Sequence, residues 1–292
     1  MKEKLSMMAK NDLGRTIIDE LKLCYSAEFS LLSELSNLDL YTSYYYDDFL
    51  LFRIEHKHYE YCFRVSYCFD SNVHTKIAVL CFGLKGTKRF PNYVYYEIAN
   101  KALYNNDMLK TALKLPNNLR MVFNHITSID LARDYKYDVV KRIRKFARRS
   151  DVKINVNGKK IDKNKNCDNG HFVFPLNFKR LSNPTINIKQ AKAKKNKNKG
   201  LTLSVYNKSK ENVKSHKEYI KEFYGNPKSL HRIEVHQNND EIKRFCKNSG
   251  IKQVLTLIFN QLFLDSMFSA HLSSLLRFTK GRTKIEWDDF LQ

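Results

Sequence analysis

Leu201-Thr202-Leu203-Ser204-Val205-Tyr206 runs into Asn207-Lys208-Ser209-Lys210-Glu211, and a second alternating run, Arg232-Ile233-Glu234-Val235-His236, follows shortly after. In the first run Leu201, Leu203 and Val205 share one side, and Thr202, Ser204 and Tyr206 share the other. In the second, Ile233 and Val235 oppose Arg232, Glu234 and His236. A period of two is the mark of a half-buried strand. Two such strands side by side set a phenol, a guanidinium, a carboxylate and an imidazole on one polar face.

Working outward, Ile126–Asp134 alternates in the same way and puts Asp130 on the polar side of a third strand. Phe49–Ile54, Tyr59–Phe69, Lys76–Leu84 and Tyr93–Ile98 are short apolar-aromatic runs divided by charged turns, so they too read as strands. Helical spacing predicts helices over Asp12–Leu23, Asn106–Leu115, Val139–Arg149 and Asn212–Phe223, with more beyond His236. The expected fold is α+β: a central, mostly antiparallel sheet with flanking helices and a C-terminal helical region. Residues 1–245 are expected to form one domain with a flexible basic insertion at about 185–200, where Ala191–Lys199 is nearly all Lys, Ala and Asn, and residues 246–292 to form the helical end.

The chain has 292 residues, 42% of them apolar, with 17 Tyr and 19 Phe, enough for a full core. Its 52 Lys and Arg outnumber 30 Asp and Glu, a formal charge of +22. That excess points to a polyanionic partner, nucleic acid first. Val139–Arg149 carries six cations, Lys141, Arg142, Arg144, Lys145, Arg148 and Arg149, which read as a DNA-backbone face; a solvated helix face is the plainer reading. The six cysteines form no C-x-x-C pair and no zinc spacing, so reduced thiols packed as small hydrophobes are expected. The N-terminus lacks the apolar core of a signal peptide. Ile251–Phe278 is broken by Asn260, Gln261, Asp265 and His271 and falls short of the ~18 continuous apolar residues of a membrane span. A soluble cytoplasmic protein without a membrane partner is the expectation.

A tyrosine that attacks phosphorus needs its proton taken or its phenolate steadied, and it needs the phosphate charge offset. Asp130, Tyr206, Lys208, Glu211, Arg232 and Glu234 offer those functions, although any one of them alone is an ordinary strand residue. Three segments, Ile126–Asp134 (ITSIDLARD), Leu201–Glu211 (LTLSVYNKSKE) and Leu230–Val235 (LHRIEV), resemble in order the signatures of the phage and plasmid replication initiators. These are the filamentous-phage gene II/X type with the related Rep_trans plasmid initiators and relaxases. Tyr93–Tyr104 resembles the segment that precedes the first signature. Ser128 stands where that pattern carries arginine, so the contact of that arginine is missing or supplied elsewhere.

The resemblance implies a site-specific nickase that starts rolling-circle replication or mobilisation. Tyr206 would join the 5′ end of the cut strand and free a 3′-hydroxyl. Lys208 and Arg232 would steady the phosphate. Asp130 and Glu234, assisted by Asp134 or Glu211, would hold Mg²⁺ or Mn²⁺. Single-stranded or supercoiled origin DNA would be the substrate, with host replication proteins or a second copy of the chain as further partners. Two alternatives stand beside it: a non-catalytic basic DNA- or RNA-binding protein, and a metal-dependent nuclease that uses water. His56 and His58 read as a polar turn rather than a metal site, and Tyr41, Tyr44, Tyr45, Tyr46, Tyr59, Tyr61 and Tyr67 as packing more than base stacking.

Overall fold

The computed structural model describes residues 13–70, 73–87, 91–161, 172–173, 185–190 and 200–291. The fold is α+β, with a large antiparallel sheet and helices. The chain divides into two compact units. One comprises residues 18–129 and 250–255, the other residues 1–17, 130–249 and 256–292. Residues 256–292 fall in the same unit as Leu201–Glu211 and Leu230–Val235.

In the first unit, β1 (Ile17–Ser26), β2 (Ser43–Tyr46), β3 (Phe49–Ile54), β4 (Tyr59–Asp70), β5 (Val73–Leu84) and β6 (Tyr93–Ile98) lie in the order β1-β6-β5-β4-β3-β2, all antiparallel. The run read as a helix over Asp12–Leu23 is β1 from Ile17 onward. Its alternation is Asp19, Leu21, Leu23 and Tyr25, all buried. Because Ile18 and Cys24 on the other side are buried as well, the apolar residues fall in a nearly continuous run that helical spacing also fits. The helices of this unit are α1 (Phe29–Ser36), α2 (Asn100–Leu103), α3 (Asn106–Ala112) and α4 (Lys114–Asn118). The helix expected over Asn106–Leu115 is thus two pieces, and Pro116 sits in the first turn of the second, where no amide hydrogen is needed. Tyr96 Oη donates to the Ala112 carbonyl at 2.8 Å and ties the sheet to α3. Cys62 and Cys81 are register partners on β4 and β5, with their sulfur atoms facing each other.

β7 (Val122–Tyr135) passes from the first unit into the second. The second unit continues with α5 (Val139–Ala147), β8 (Val152–Val156), β9 (Lys159–Ile161), β10 (Phe172–Val173), β11 (Ile186–Lys189), β12 (Leu201–Asn207), α6 (Lys208–Ser215), α7 (Glu218–Phe223), β13 (His231–Asn238), α8 (Asn239–Asn248), α9 (Gln261–Leu275), β14 (Leu276–Lys280), β15 (Thr283–Ile285) and α10 (Trp287–Leu291). Its sheet runs β10-β11-β12-β13-β7, and a smaller sheet runs β15-β14-β8-β9. The pairing of Leu276 with Val156 draws the C-terminal segment onto β8, so that segment is not purely helical. The basic insertion over Ala191–Lys199 lies outside the described residues. The helix read over Asn212–Phe223 is two helices, α6 and α7, because His216 adopts a left-handed conformation (φ 54°) that ends the first.

β12 and β13 pair antiparallel in the register Thr202–His236, Ser204–Glu234 and Tyr206–Arg232. Leu201, Leu203, Val205, Ile233 and Val235 are fully buried, and α5 and α9 pack on both strands. Each such side chain contributes about 1.5–3 kcal/mol on burial, so this register is fixed by its apolar face. A slip of one residue would invert it and expose all five.

Candidate active site

The opposite faces of β12, β13 and β7 carry the polar row. Tyr206 is half-buried, and its hydroxyl donates to Glu234 Oε2 at 2.9 Å. Lys208 follows Tyr206 by two residues and is the first residue of α6, with Asn207 as the N-cap accepting from the Lys210 amide. Its ammonium is 3.5 Å from the Tyr206 oxygen and 2.7 Å from Glu211 Oε2, and the side chain is only 1% exposed. Glu211 balances two effects. Burial raises its pKa, but Lys208, helped by Ser215 and Lys217, outweighs burial and leaves it below the usual glutamate value.

Behind the phenol, Arg232 and Asp134 are both fully buried. Arg232 Nε and Nη2 donate to Asp134 Oδ1 and Oδ2 at 2.8 and 2.6 Å, a two-pronged charged pair. Arg232 Nη1 lies 3.6 Å from Glu234 Oε2. One strand step further, His236 Nδ1 lies 2.5 Å from Asp130 Oδ1. The structure therefore brings Tyr206, Lys208, Glu211, Arg232, Glu234 and Asp134 into one connected group, with Asp130 beside it through His236.

Two assignments change. Arg232, expected to steady a phosphate, is withdrawn from solvent and grips Asp134 while facing Glu234. Asp134 and Glu211, expected to assist a metal ion, have carboxylates committed to Arg232 and Lys208. Asp130 is taken by His236, and Glu234 accepts from the phenol. Among the described residues no three His, Cys, Asp or Glu side chains gather as a metal-holding group.

The basic helix is divided as well. Lys141, Lys145, Arg148 and Arg149 are exposed, Arg142 is half-buried with its guanidinium over the Tyr137 ring, and Arg144 is buried. Val140, Ile143 and Ala147 form the helix's inward stripe at helical spacing, and position 144 falls on it. Arg149 also grips Asp151 at 2.9 Å. Arg144 is thus not part of an outward cationic face.

Charge is unevenly shared. The unit that carries Tyr206 has 39 Lys and Arg against 18 Asp and Glu, whereas the other has 13 against 12. Almost all of the net +22 belongs with the phenol. In the other unit, Tyr41 and Tyr45 are the well-exposed rings, at 59% and 72%, while Tyr61 stacks on Phe82 and Tyr67 packs against Phe49. His56 and His58 lie in the turn between β3 and β4, where the His58 amide donates to His56 Nδ1 at 3.1 Å.

His231 carries a link that sequence reading missed. It pairs with Asn207 in the strand register, its Nε2 is 3.5 Å from Asn207 Nδ2, and its Nδ1 is 3.7 Å from Asp138 Oδ1. Burial lowers its pKa, Asp138 opposes that, and Lys210 adds to it. The signal was its place one residue before Arg232, which sets it on the side away from the polar row. Among the described residues no helix is long and apolar enough to cross a membrane. Compared with known proteins, the chain matches no protein-family model and no curated protein.

Proposed function

We propose that this chain is a DNA strand-transferring nickase in which Tyr206 attacks a backbone phosphate, with rolling-circle initiation or mobilisation as the outcome. The observation that carries the reading is the position of the Tyr206 hydroxyl, between the Glu234 carboxylate and the Lys208 ammonium on a half-open strand face. An unperturbed phenol, with a pKa near ~10, is a poor nucleophile at neutral pH, and this is the environment that activates one. The tyrosine oxygen bonds to phosphorus, the bond to the 3′-oxygen breaks, and that oxygen leaves with the electron pair and takes a proton from solvent. The 5′ end stays on the protein. Lys141 and Lys145 on α5, with Lys210 and Lys214 on α6, are exposed cations of the same unit that suit a nucleic-acid backbone.

The test uses a pool of single-stranded oligonucleotides of random sequence labelled at the 3′ end, incubated with the full chain with and without Mg²⁺ or Mn²⁺. The expected result is label that stays with the protein on a denaturing gel for wild type and is absent for Tyr206→Phe. Salt-sensitive binding without any adduct would favour the alternative, a basic binding protein, which the charge concentrated around Tyr206 also suits. Strand cleavage that survives Tyr206→Phe would favour a nuclease that uses water.

A further inference from the structure

We infer that Glu234 is the base that takes the Tyr206 proton, and that Glu211 positions Lys208 as the cation that steadies the resulting phenolate. This rests on the proposed nickase reading and assigns two carboxylates otherwise expected to hold a metal ion. Three observations carry it. The phenol donates directly to Glu234 Oε2 at 2.9 Å, so the proton already points along its transfer path. Arg232 Nη1, 3.6 Å from that same oxygen and locked behind it by Asp134, fixes the acceptor in place. Lys208 is buried with its ammonium 3.5 Å from the phenol oxygen, and Glu211 holds it from the next turn at 2.7 Å.

The charged and titratable groups around the pair are Lys208 and Glu211 from α6, Arg232 and His236 from β13, and Asp130 and Asp134 from β7. The step balances simply. The phenol oxygen bonds to phosphorus as its proton passes to Glu234, and the leaving oxygen departs with the electrons of the broken bond. The product is a phosphotyrosine and a protonated Glu234, which returns its proton to water.

The probe is thymidine 5′-(p-nitrophenyl phosphate), which needs no origin sequence. Attack by Tyr206 releases coloured nitrophenolate and leaves thymidine 5′-phosphate on the protein, located by peptide mass spectrometry. In wild type the rate should hold from pH 7 to 10. In Glu234→Gln it should fall roughly 10²–10⁴-fold at pH 7, the usual worth of a positioned base. It should then climb about tenfold per pH unit towards the phenol's own range near ~10, which narrows the gap to wild type. Fluorotyrosine at position 206, a more acidic phenol, should restore much of the Glu234→Gln loss at pH 7. Glu211→Gln should lower the rate with the pH profile kept.

A Glu234→Gln rate equal to wild type, or a deficit constant from pH 7 to 10 and untouched by fluorotyrosine, overturns the assignment. So does recovery of Glu234→Gln by raised Mn²⁺ at pH 7, which marks a metal ligand. Adduct formation at Tyr206 at the wild-type rate in Glu234→Gln removes only this inference. No adduct in wild type removes the nickase reading with it.

Discussion

Replacing Arg232 by methionine is expected to cost about 3–5 kcal/mol of folding stability, the range for stranding one partner of a buried charge pair. The magnitude follows from the geometry. Arg232 and Asp134 are both at 0% exposure, and the guanidinium supplies both carboxylate oxygens with hydrogen bonds at 2.8 and 2.6 Å. Methionine fills the volume but donates nothing, so a carboxylate is left in a site without water. At roughly 2–4 °C per kcal/mol for a domain of this size, the melting point should drop by about 6–20 °C. Urea unfolding followed by circular dichroism should show a lower midpoint at unchanged slope. The double variant Arg232→Met with Asp134→Leu removes both charges and should recover most of the loss. A single variant within ~1 kcal/mol of wild type, or a double variant as unstable as the sum of the two singles, would refute the view that this pair is sealed from solvent.

Other expectations are separable from that one. His271 is 5% exposed with Nδ1 2.8 Å from Gln237 Oε1, and burial, with a smaller push from Arg244, lowers its pKa to about 4. Its neutral form is the one the fold accepts, so stability is full above the unfolded value near ~6.5 and is lost as pH falls from there towards 4. Unfolding free energies from urea titrations should decline over that window by an amount on the order of 3 kcal/mol, and His271→Leu should flatten the decline; a parallel decline in the variant would discount the imidazole. On α5, Lys141→Ala and Lys145→Ala should each reduce the salt slope of single-strand binding by up to about 0.7, measured by fluorescence anisotropy. Arg144→Ala should instead lower stability and leave that slope alone, because its guanidinium is buried; a changed slope with unchanged stability would reverse its placement.

The register of β12 against β13 was legible because each strand is short, alternates strictly and hides one complete face. The same parity placed Asp130 and Asp134 together on the polar side of β7. What the sequence does not encode locally is which cation meets which carboxylate. The pairing of Arg232 with Asp134 joins residues 98 apart and depends on the order of strands in the sheet. Both residues were therefore given roles suited to open water, and the structure withdraws them from it. Other misses have local causes. β1 is buried on both sides, which erases its period, and His216 takes a left-handed turn that no apolar pattern signals. Four short strands, β8 to β11, were passed over because lysine and asparagine mask the few branched residues that form them.

Lys208 opens a helix, and that is the end at which exposed amide groups already lend a partial positive charge. Glu211, one turn on, supplies the opposite sign to this buried ammonium at 2.7 Å. Deprived of that acid, like poles would crowd the opening turn of α6. The turn would then fray, and the aromatic ring hinged two residues upstream would lose its fixed bearing.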